Sequence, residues 1–347
     1  MTHAPKVAEP TIGIVPTARL VFSIVIANFN YGRFVGRAIQ SALELDWPAV
    51  EIIVVDDGST DHSADIIGSF GDRVTAIFQE NGGQRTANNA GFACTSGDVI
   101  VFLDADDILE PDLAREVAAV WRPGLSKVQV QMRRVDADEC PFGGLLPPMV
   151  NEPQPEQIRA WAIADTEYPT PPGSGNAYSR DFLSLFFPIG PEHDSSTDST
   201  CLALAPFLGD VVTVAKPLVR YRQHGSNDSN LFAMPGRFAR EIARAITRQR
   251  SVELILASLN KPLPSAGSLR RSRHFLQLRI ASLRMQPEAH PLPGDGRLAA
   301  LGDALRSVFG SSFYPVHRRA LMAAWGVITL LAPKPVARRL VSIRFGG

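Results

Sequence analysis

VIVFLDADDILEPD (residues 99–112) runs five apolar residues straight into Asp104, Asp106 and Asp107. The apolar run is short and rich in β-branched side chains, as expected of a strand buried on both faces. Carboxylates packed that densely at its end repel one another and cost stability unless something offsets their charge. Hard oxygen ligands suit magnesium or manganese, ions that bind through one or two carboxylates together with substrate phosphates. An Asp-x-Asp on a turn lets the two side chains diverge, one toward a metal and the other toward a sugar hydroxyl. A solvated acidic loop reads the same way in isolation, so the place of this segment in the fold has to decide.

Upstream, VFSIVIANFN (21–30), EIIVVDD (51–57) and VTAIFQ (74–79) read as three more strands. Phe34, Val35, Ala38, Ile39, Ala42 and Leu43 recur at helical spacing, which makes residues 31–45 an amphipathic helix ending before Trp47-Pro48. A short helix through Ile66 and Ile67 follows the second strand, with Ser59, Thr60 or Asp61 available as its N-cap. NGGQ (81–84) is a glycine turn that opens another helix. Strands alternating with helices at this spacing predict an α/β fold with a mostly parallel, doubly wound sheet. Ligands bind such sheets beyond the carboxyl ends of the strands, where Asp56, Asp57, Asp104 and Asp106 all fall. That makes the acidic turn a candidate site.

After Trp121 the alternation weakens. Residues 127–137 alternate like a half-exposed strand, 138–175 are rich in proline and glycine, and 197–209 read as helical. Residues 211–225 read as an edge hairpin leading into a loop. Beyond residue 230 the pattern is helical and basic, broken at 261–267 and 291–296.

The chain has 347 residues, room for one large domain and an appendage. Hydrophobic residues make up 45% and charged residues 20%, the balance of a globular rather than a disordered chain. Lys plus Arg and Asp plus Glu both number 35, so no global basic field exists to gather nucleic acid, and none is expected as a partner. Cys94, Cys140 and Cys201 are far apart and odd in number, which fits neither a zinc spacing nor a disulfide framework and points to a reducing compartment. Residues 1–20 read as a flexible arm without the basic start and apolar core of a signal peptide. The longest apolar run, 321–332, is too short to span a bilayer and ends at Pro333. A cytoplasmic protein is the expectation.

VVDDGSTD (54–61) adds carboxylates able to accept hydrogen bonds from a nucleobase imide or ribose hydroxyls, although the same residue types also suit a tight turn. Taken in order, IANFNYGRFV (26–35), VVDDGSTD, NGGQRTANNAGF (81–92), GDVIVFLDADD (97–107) and YRQHGSN (221–227) closely resemble the family 2 glycosyltransferases of GT-A fold. The resemblance covers roughly residues 21–230. It implies a nucleotide-binding half at 21–122 and an acceptor half at 123–230, with 231–347 left as a helical extension. It further implies an inverting transferase, using magnesium or manganese, that moves a sugar from a nucleotide-diphosphate donor (UDP-linked by expectation) to a hydroxyl acceptor. Polysaccharide biosynthesis is the expected setting.

Carried over position by position, the resemblance makes Ala27, Asn28 and Asn30 neighbours of the nucleotide, and Asp57 with Asp56 its base and ribose contact. Gln84, Asn89, Asp104 and Ala105 join the donor site, Asp104 toward ribose or phosphate. Asp106 becomes the main metal ligand, with His224 beside the diphosphate or metal. Inversion by single displacement needs a general base at the acceptor hydroxyl. The family's acidic segment is altered here to PEHDSSTDSTCLAL (191–204), leaving Asp198, with Asp194 as its rival. Asp198 could equally cap a helix. A second departure is Asn88-Asn89, where many relatives carry Arg-Asn, with Arg85 the available substitute.

GSGNAYSR (173–180) falls where the family places acceptor-side residues and offers Ser174, Gly175 and Asn176. The altered acidic segment keeps open a transferase-like protein that binds a nucleotide sugar or a partner without turnover. A nucleotidyltransferase is disfavoured, because ANFNYGRF has one glycine and one arginine where a triphosphate clamp needs more. The acceptor is expected to be a carbohydrate or a lipid-linked molecule. Arg318, Arg319, Lys334, Arg338, Arg339 and Arg344 flank the apolar stretch around Trp325. That arrangement suits either peripheral contact with the inner membrane surface or ordinary helix packing, and the short apolar run favours packing.

Overall fold

The computed structural model describes residues 20–149, 151–224, 236–309 and 312–345. The expected arm (apart from Leu20), the boundary near residue 230 and the last three residues of YRQHGSN lie outside the described residues. β1 (Phe22–Asn28), α1 (Gly32–Leu43), β2 (Val50–Asp56), α2 (Ser63–Gly68), β3 (Thr75–Phe78), α3 (Gln84–Ala93) and β4 (Val99–Asp104) alternate as expected. These strands pair in parallel in the order β3-β2-β1-β4, so all four carboxyl ends open on one edge. Ile24 and Ile26 of β1 enter one apolar core while Val25 between them enters another. Burial on both faces is why these strands read as unbroken apolar runs. The N-cap position of α2 is His62, and Asp61 instead accepts from the Ser63 and Gly32 amides, tying α2 to the start of α1.

Next come β5 (Ile108–Leu109), α4 (Leu113–Ala119), β6 (Leu125–Val135), β7 (Pro141–Leu146), α5 (Pro155–Asp165), β8 (Asn176–Ser179), α6 (Arg180–Leu183), α7 (Thr197–Leu208) and β9 (Asp210–Arg222). The sheet continues antiparallel through β8 and runs β3-β2-β1-β4-β8-β6-β9-β5, with β7 on β6. Three expectations are corrected here. β6 is central and buried for most of its length rather than half-exposed. Its alternate polar residues bond inward: Gln129 donates to Pro169 O and Thr213 Oγ1, and Gln131 to Pro147 O. β9 is one strand parallel to β6, not an edge hairpin. Ala215 and Lys216 are absorbed as a bulge before Pro217, where proline need not donate to the ladder. Finally, α5 emerges inside the proline-rich stretch because Pro155 opens it and Gln157 Oε1 accepts the Gln154 amide at 3.0 Å.

The carboxy-terminal part is helical as read: α8 (Arg237–Ser258), α9 (Ser268–Arg271), α10 (Arg273–Met285), α11 (Arg297–Arg306), α12 (Val316–Leu331) and α13 (Lys334–Phe345). Val252, Ile255 and Leu256 of α8 share a core with Ile158, Cys201 and Leu204 of α5 and α7. The start of α10 meets the end of α5 through charge. Arg273 Nη1 donates to Asp165 Oδ2 at 2.8 Å with both groups buried, and Glu167 Oε1 accepts from Ser272 Oγ and the His274 amide.

Burial pushes the Glu167 carboxyl from 4.5 up to about 7 against those hydrogen bonds. The folded chain therefore favours protonated Glu167, and stability is lost as pH rises from 4.5 through about 7. Glu167→Gln keeps the acceptor without the charge. Its stability relative to the native chain should rise over that window by on the order of 2–3 kcal/mol, at about 1.4 kcal/mol per pH unit. Urea midpoints of both proteins across the window test this, and a difference that stays flat with pH refutes it.

Candidate active site

The acidic turn is built between the ends of two strands, β4 and β9. β4 stops at Asp104, and the Asp107 amide donates to Asp104 O at 3.0 Å to close the turn. The end of β9 then braces it. The Arg222 amide donates to Asp107 Oδ1 at 2.9 Å, and the buried Arg222 guanidinium donates to Asp106 O at 2.8 Å. His224 Nε2 lies 3.0 Å from Asp106 Oδ2. Its ring stacks on Phe34 at 4.8 Å and meets Tyr31 edge-on, so α1 fixes the imidazole that faces the acidic turn.

Burial raises Asp104 to about 7, and repulsion from Asp106 and Asp198 adds to it. Burial also raises Asp106, against the opposing pull of His224 and Arg222. Asp107 is pushed well above the usual carboxylate range by burial and by its two neighbours. Its Oδ2 is buried without a hydrogen-bond partner among the described residues. Concentrated negative charge of this kind is what a divalent cation relieves.

A cleft of about 720 Å³ opens over this turn. It brings together Ala27, Asn28, Asp57, Gln84, Asp104, Ala105, Asp106 and Asp198 of the residues expected from sequence. Asp57 organises the glycine turn on one wall. Its Oδ1 accepts from Gln79 Nε2 and the Gly82 amide, and its Oδ2 from the Gly83 amide at 2.7 Å. Gly83 holds φ +82°, a conformation that favours glycine. Asn28 Nδ2 donates to Asp56 and Ser59, while its Oδ1 is buried with no partner among the described residues.

Other expected residues stand behind the cleft rather than on it. Asp56 is a strut, accepting from Asn28 and from both the Ser59 hydroxyl and amide. Asn30, in the left-handed region at φ 57°, accepts the Thr60 amide and fixes that turn. Asn89 clasps both backbone groups of Ile189 at 2.9 Å, and Arg85 donates to His193 O, so neither amide nor guanidinium is turned to a donor. Asp194 is enclosed between Arg244 and Arg248 of α8 and accepts the Ser196 amide. It anchors the loop that leads to Asp198.

Asp198 lies in the first turn of α7, where Ser196 takes the N-cap position. Gly173 sits between Asp198 and the acidic turn. A Cβ built on it would lie 3.5 Å from both Asp104 Oδ2 and Asp198 Cβ. Ser174, Gly175 and Asn176 form the floor beneath: Ser174 Oγ accepts the Asp104 amide, and Asn176 Nδ2 donates to Pro172 O and Gly173 O. Lys127 holds Asn176 in place. Its Nζ donates to Asn176 Oδ1 at 2.6 Å and Thr170 Oγ1 at 2.9 Å, and full burial pushes its ammonium well below the usual range. The sequence reading missed Lys127. A lysine heading the polar positions of the Lys-Val-Gln-Val-Gln alternation was its only signal.

Among the described residues no three His, Cys, Asp or Glu side chains converge into a complete cation cage. Asp106 with His224 offers a partial set, which fits magnesium or manganese completed by substrate phosphates and water. Lys127→Met keeps the bulk but leaves Asn176 and Thr170 without their buried donor. It should destabilise the chain by about 1–3 kcal/mol, read in urea unfolding. A change below about 0.5 kcal/mol would remove Lys127 as the prop of the floor.

Residues 23–186 match the family described as Glycosyl transferase family 2. An uncharacterized glycosyltransferase of Nostoc sp. is 36% identical over 213 residues, 59% of this chain and 66% of its own length. Glycosyltransferase GlyG of Streptococcus pneumoniae is 35% identical over 97 residues, 27% of this chain and 32% of its own length. The matched stretches therefore span from about a third to just under two thirds of these relatives. Among solved structures, S. aureus TarS 1-349 superposes with a TM-score of 0.55 at 18% identity over 92% of both chains. Its complex with UDP-GlcNAc gives 0.52 at 14%. At such identities the likeness is one of fold. With five motifs in order and the sheet edge that gathers them, residues 23–186 belong to glycosyl transferase family 2, and the chain has a GT-A fold.

Proposed function

We propose that the chain is an inverting transferase that takes a sugar from a UDP-linked donor and passes it to a hydroxyl on a carbohydrate or lipid-linked acceptor. The cleft that gathers Asp57, Asp104, Asp106 and Asp198 from three separate segments is the observation that supports this most. Asn28 and Asp57 line its nucleoside end. The TarS chain solved with UDP-GlcNAc shares the fold, which favours a uridine donor. Magnesium or manganese at Asp106, with His224 behind it, would neutralise the diphosphate as it departs.

Asp198 is the base in this reading. Its carboxylate takes the acceptor's hydroxyl proton as that oxygen bonds to the anomeric carbon, opposite the breaking bond to the diphosphate. Asp194 is left out because its charge is spent on Arg244 and Arg248. The position of Asp198 beside Asp104 also counts against a binding protein without turnover. No helix among the described residues is long and apolar enough to cross a membrane. We place the chain in the cytoplasm, with peripheral contact at the membrane face.

Calorimetric titration of UDP and GDP, with manganese and with chelator, tests the reading. Metal-dependent binding of one nucleotide is expected, and Asp106→Ala should abolish it. Asp198→Asn should bind that nucleotide normally while turnover of its sugar conjugate falls by roughly 10²–10⁴; Asp194→Asn should keep most of its turnover. If neither nucleotide binds with any cation, the donor assignment fails. Should Asp198→Asn turn over at the native rate, the base lies elsewhere.

A further inference from the structure

We infer that the outward face of α12 and α13 docks on an anionic lipid bilayer. Residues 320–332 carry no charge, so α12 is apolar around its whole circumference over that stretch. One side is used internally. Ala323, Gly326, Thr329 and Leu330 are buried, and a Cβ on Gly326 would lie 3.0 Å from Ile280 and 3.4 Å from Ala304, so α12 packs closely on α10 and α11. The opposite side is bare. Leu321, Ala324, Ile328 and Leu331 form an exposed stripe at intervals of three, four and three residues, with Leu321 68% and Leu331 69% exposed. Val336 and Ile343 extend the exposed apolar surface onto α13, which packs beside α12. A helix apolar all round belongs in a protein core or against lipid, and half of this one has no protein cover among the described residues.

Charge selects the occupant. Between Ala304 and Phe345 there are seven Lys and Arg and no Asp or Glu. Arg318, Lys334, Arg338 and Arg339 are exposed beside the apolar stripe. A second copy seated on this face would set arginine against arginine with no acid to receive it. An anionic bilayer satisfies both features, taking the apolar stripe at its acyl boundary and the basic side chains at its headgroups. At 16 residues α12 is too short to span, so it lies in the plane of the surface. The sequence alone favoured packing; the structure uses one side of α12 for packing and leaves the other exposed among the described residues.

Vesicle flotation reads this without donor or turnover, so its result is independent of the transfer reaction. The full chain should float with vesicles of phosphatidylcholine and phosphatidylglycerol but not of phosphatidylcholine alone, and high salt should release it. Arg338→Ser with Arg339→Ser should weaken partitioning about 25-fold, about five-fold per charge. Leu321→Glu, Ile328→Glu and Leu331→Glu together should abolish flotation with the circular dichroism spectrum unchanged. Three results would overturn the inference. The native chain could fail to float, the triple variant could float as well as the native chain, or light scattering could show a native dimer that the triple variant converts to monomer.

Discussion

Repulsion among carboxylates held out of water at the end of β4 is the constraint around which the site is arranged. Asp104, Asp106 and Asp107 occupy one turn, with Asp198 adding its charge from α7. A turn so charged would splay unless its backbone were held, and β9 does the holding through Arg222, which grips Asp107 by its amide and Asp106 O by its guanidinium. The same guanidinium reaches Ala137 O and Glu139, so the strand end, the acidic turn and the start of the β6–β7 connection are fixed together. The hydrogen bonds of the Arg222 guanidinium are therefore used on backbone oxygens and on Glu139. Burial still holds Asp104 and Asp106 above the usual carboxylate range, Asp104 with repulsion from its neighbours added and Asp106 against the pull of His224 and Arg222. That is the condition under which a mobile cation and a diphosphate bind well.

Beneath the turn, buried polar groups replace what would ordinarily be apolar packing. Lys127, Gln129 and Gln131 sit at alternate positions on β6 and bond to the segments around Thr170, Pro169 and Pro147. Irregular backbone can lie against a buried sheet only if its carbonyls find donors. Gln129 and Gln131 supply them directly and Lys127 through Asn176, whose amide donates to Pro172 O and Gly173 O. The result is a floor at Gly173–Gly175 close enough to touch both Asp104 and Asp198. Glycine at 173 matters for that closeness: its missing Cβ would lie between the two carboxylates.

The first hundred residues were legible because a parallel sheet buried on both faces leaves plain marks: apolar runs, turn residues, and carboxylates where the runs stop. What the sequence hid was long-range. The alternation in β6 was read as solvent exposure, whereas periodicity reports polarity and not where the polar groups point. Residues 211–225 read as a hairpin because a proline-marked bulge interrupts one long strand there. The roles of Asn89 and Asp194 depended on partners 100 and 50 positions away, at Ile189 and Arg244. Both residues come from segments the motifs single out, yet their side chains support the site instead of entering it.

Asp194 also changes how the helical region should be regarded. Its carboxylate is 2% exposed and held by two arginines of α8. An unpaired charge at that depth costs several kcal/mol, so the loop that presents Asp198 is stable only with α8 in place. Val252, Ile255 and Leu256 of the same helix complete the apolar core beneath α7. The break near residue 230 is thus a change in sequence pattern without being an energetic seam. The helices beyond it help to set the position of Asp198, and through α8 and α10 they connect that residue to the bare face of α12.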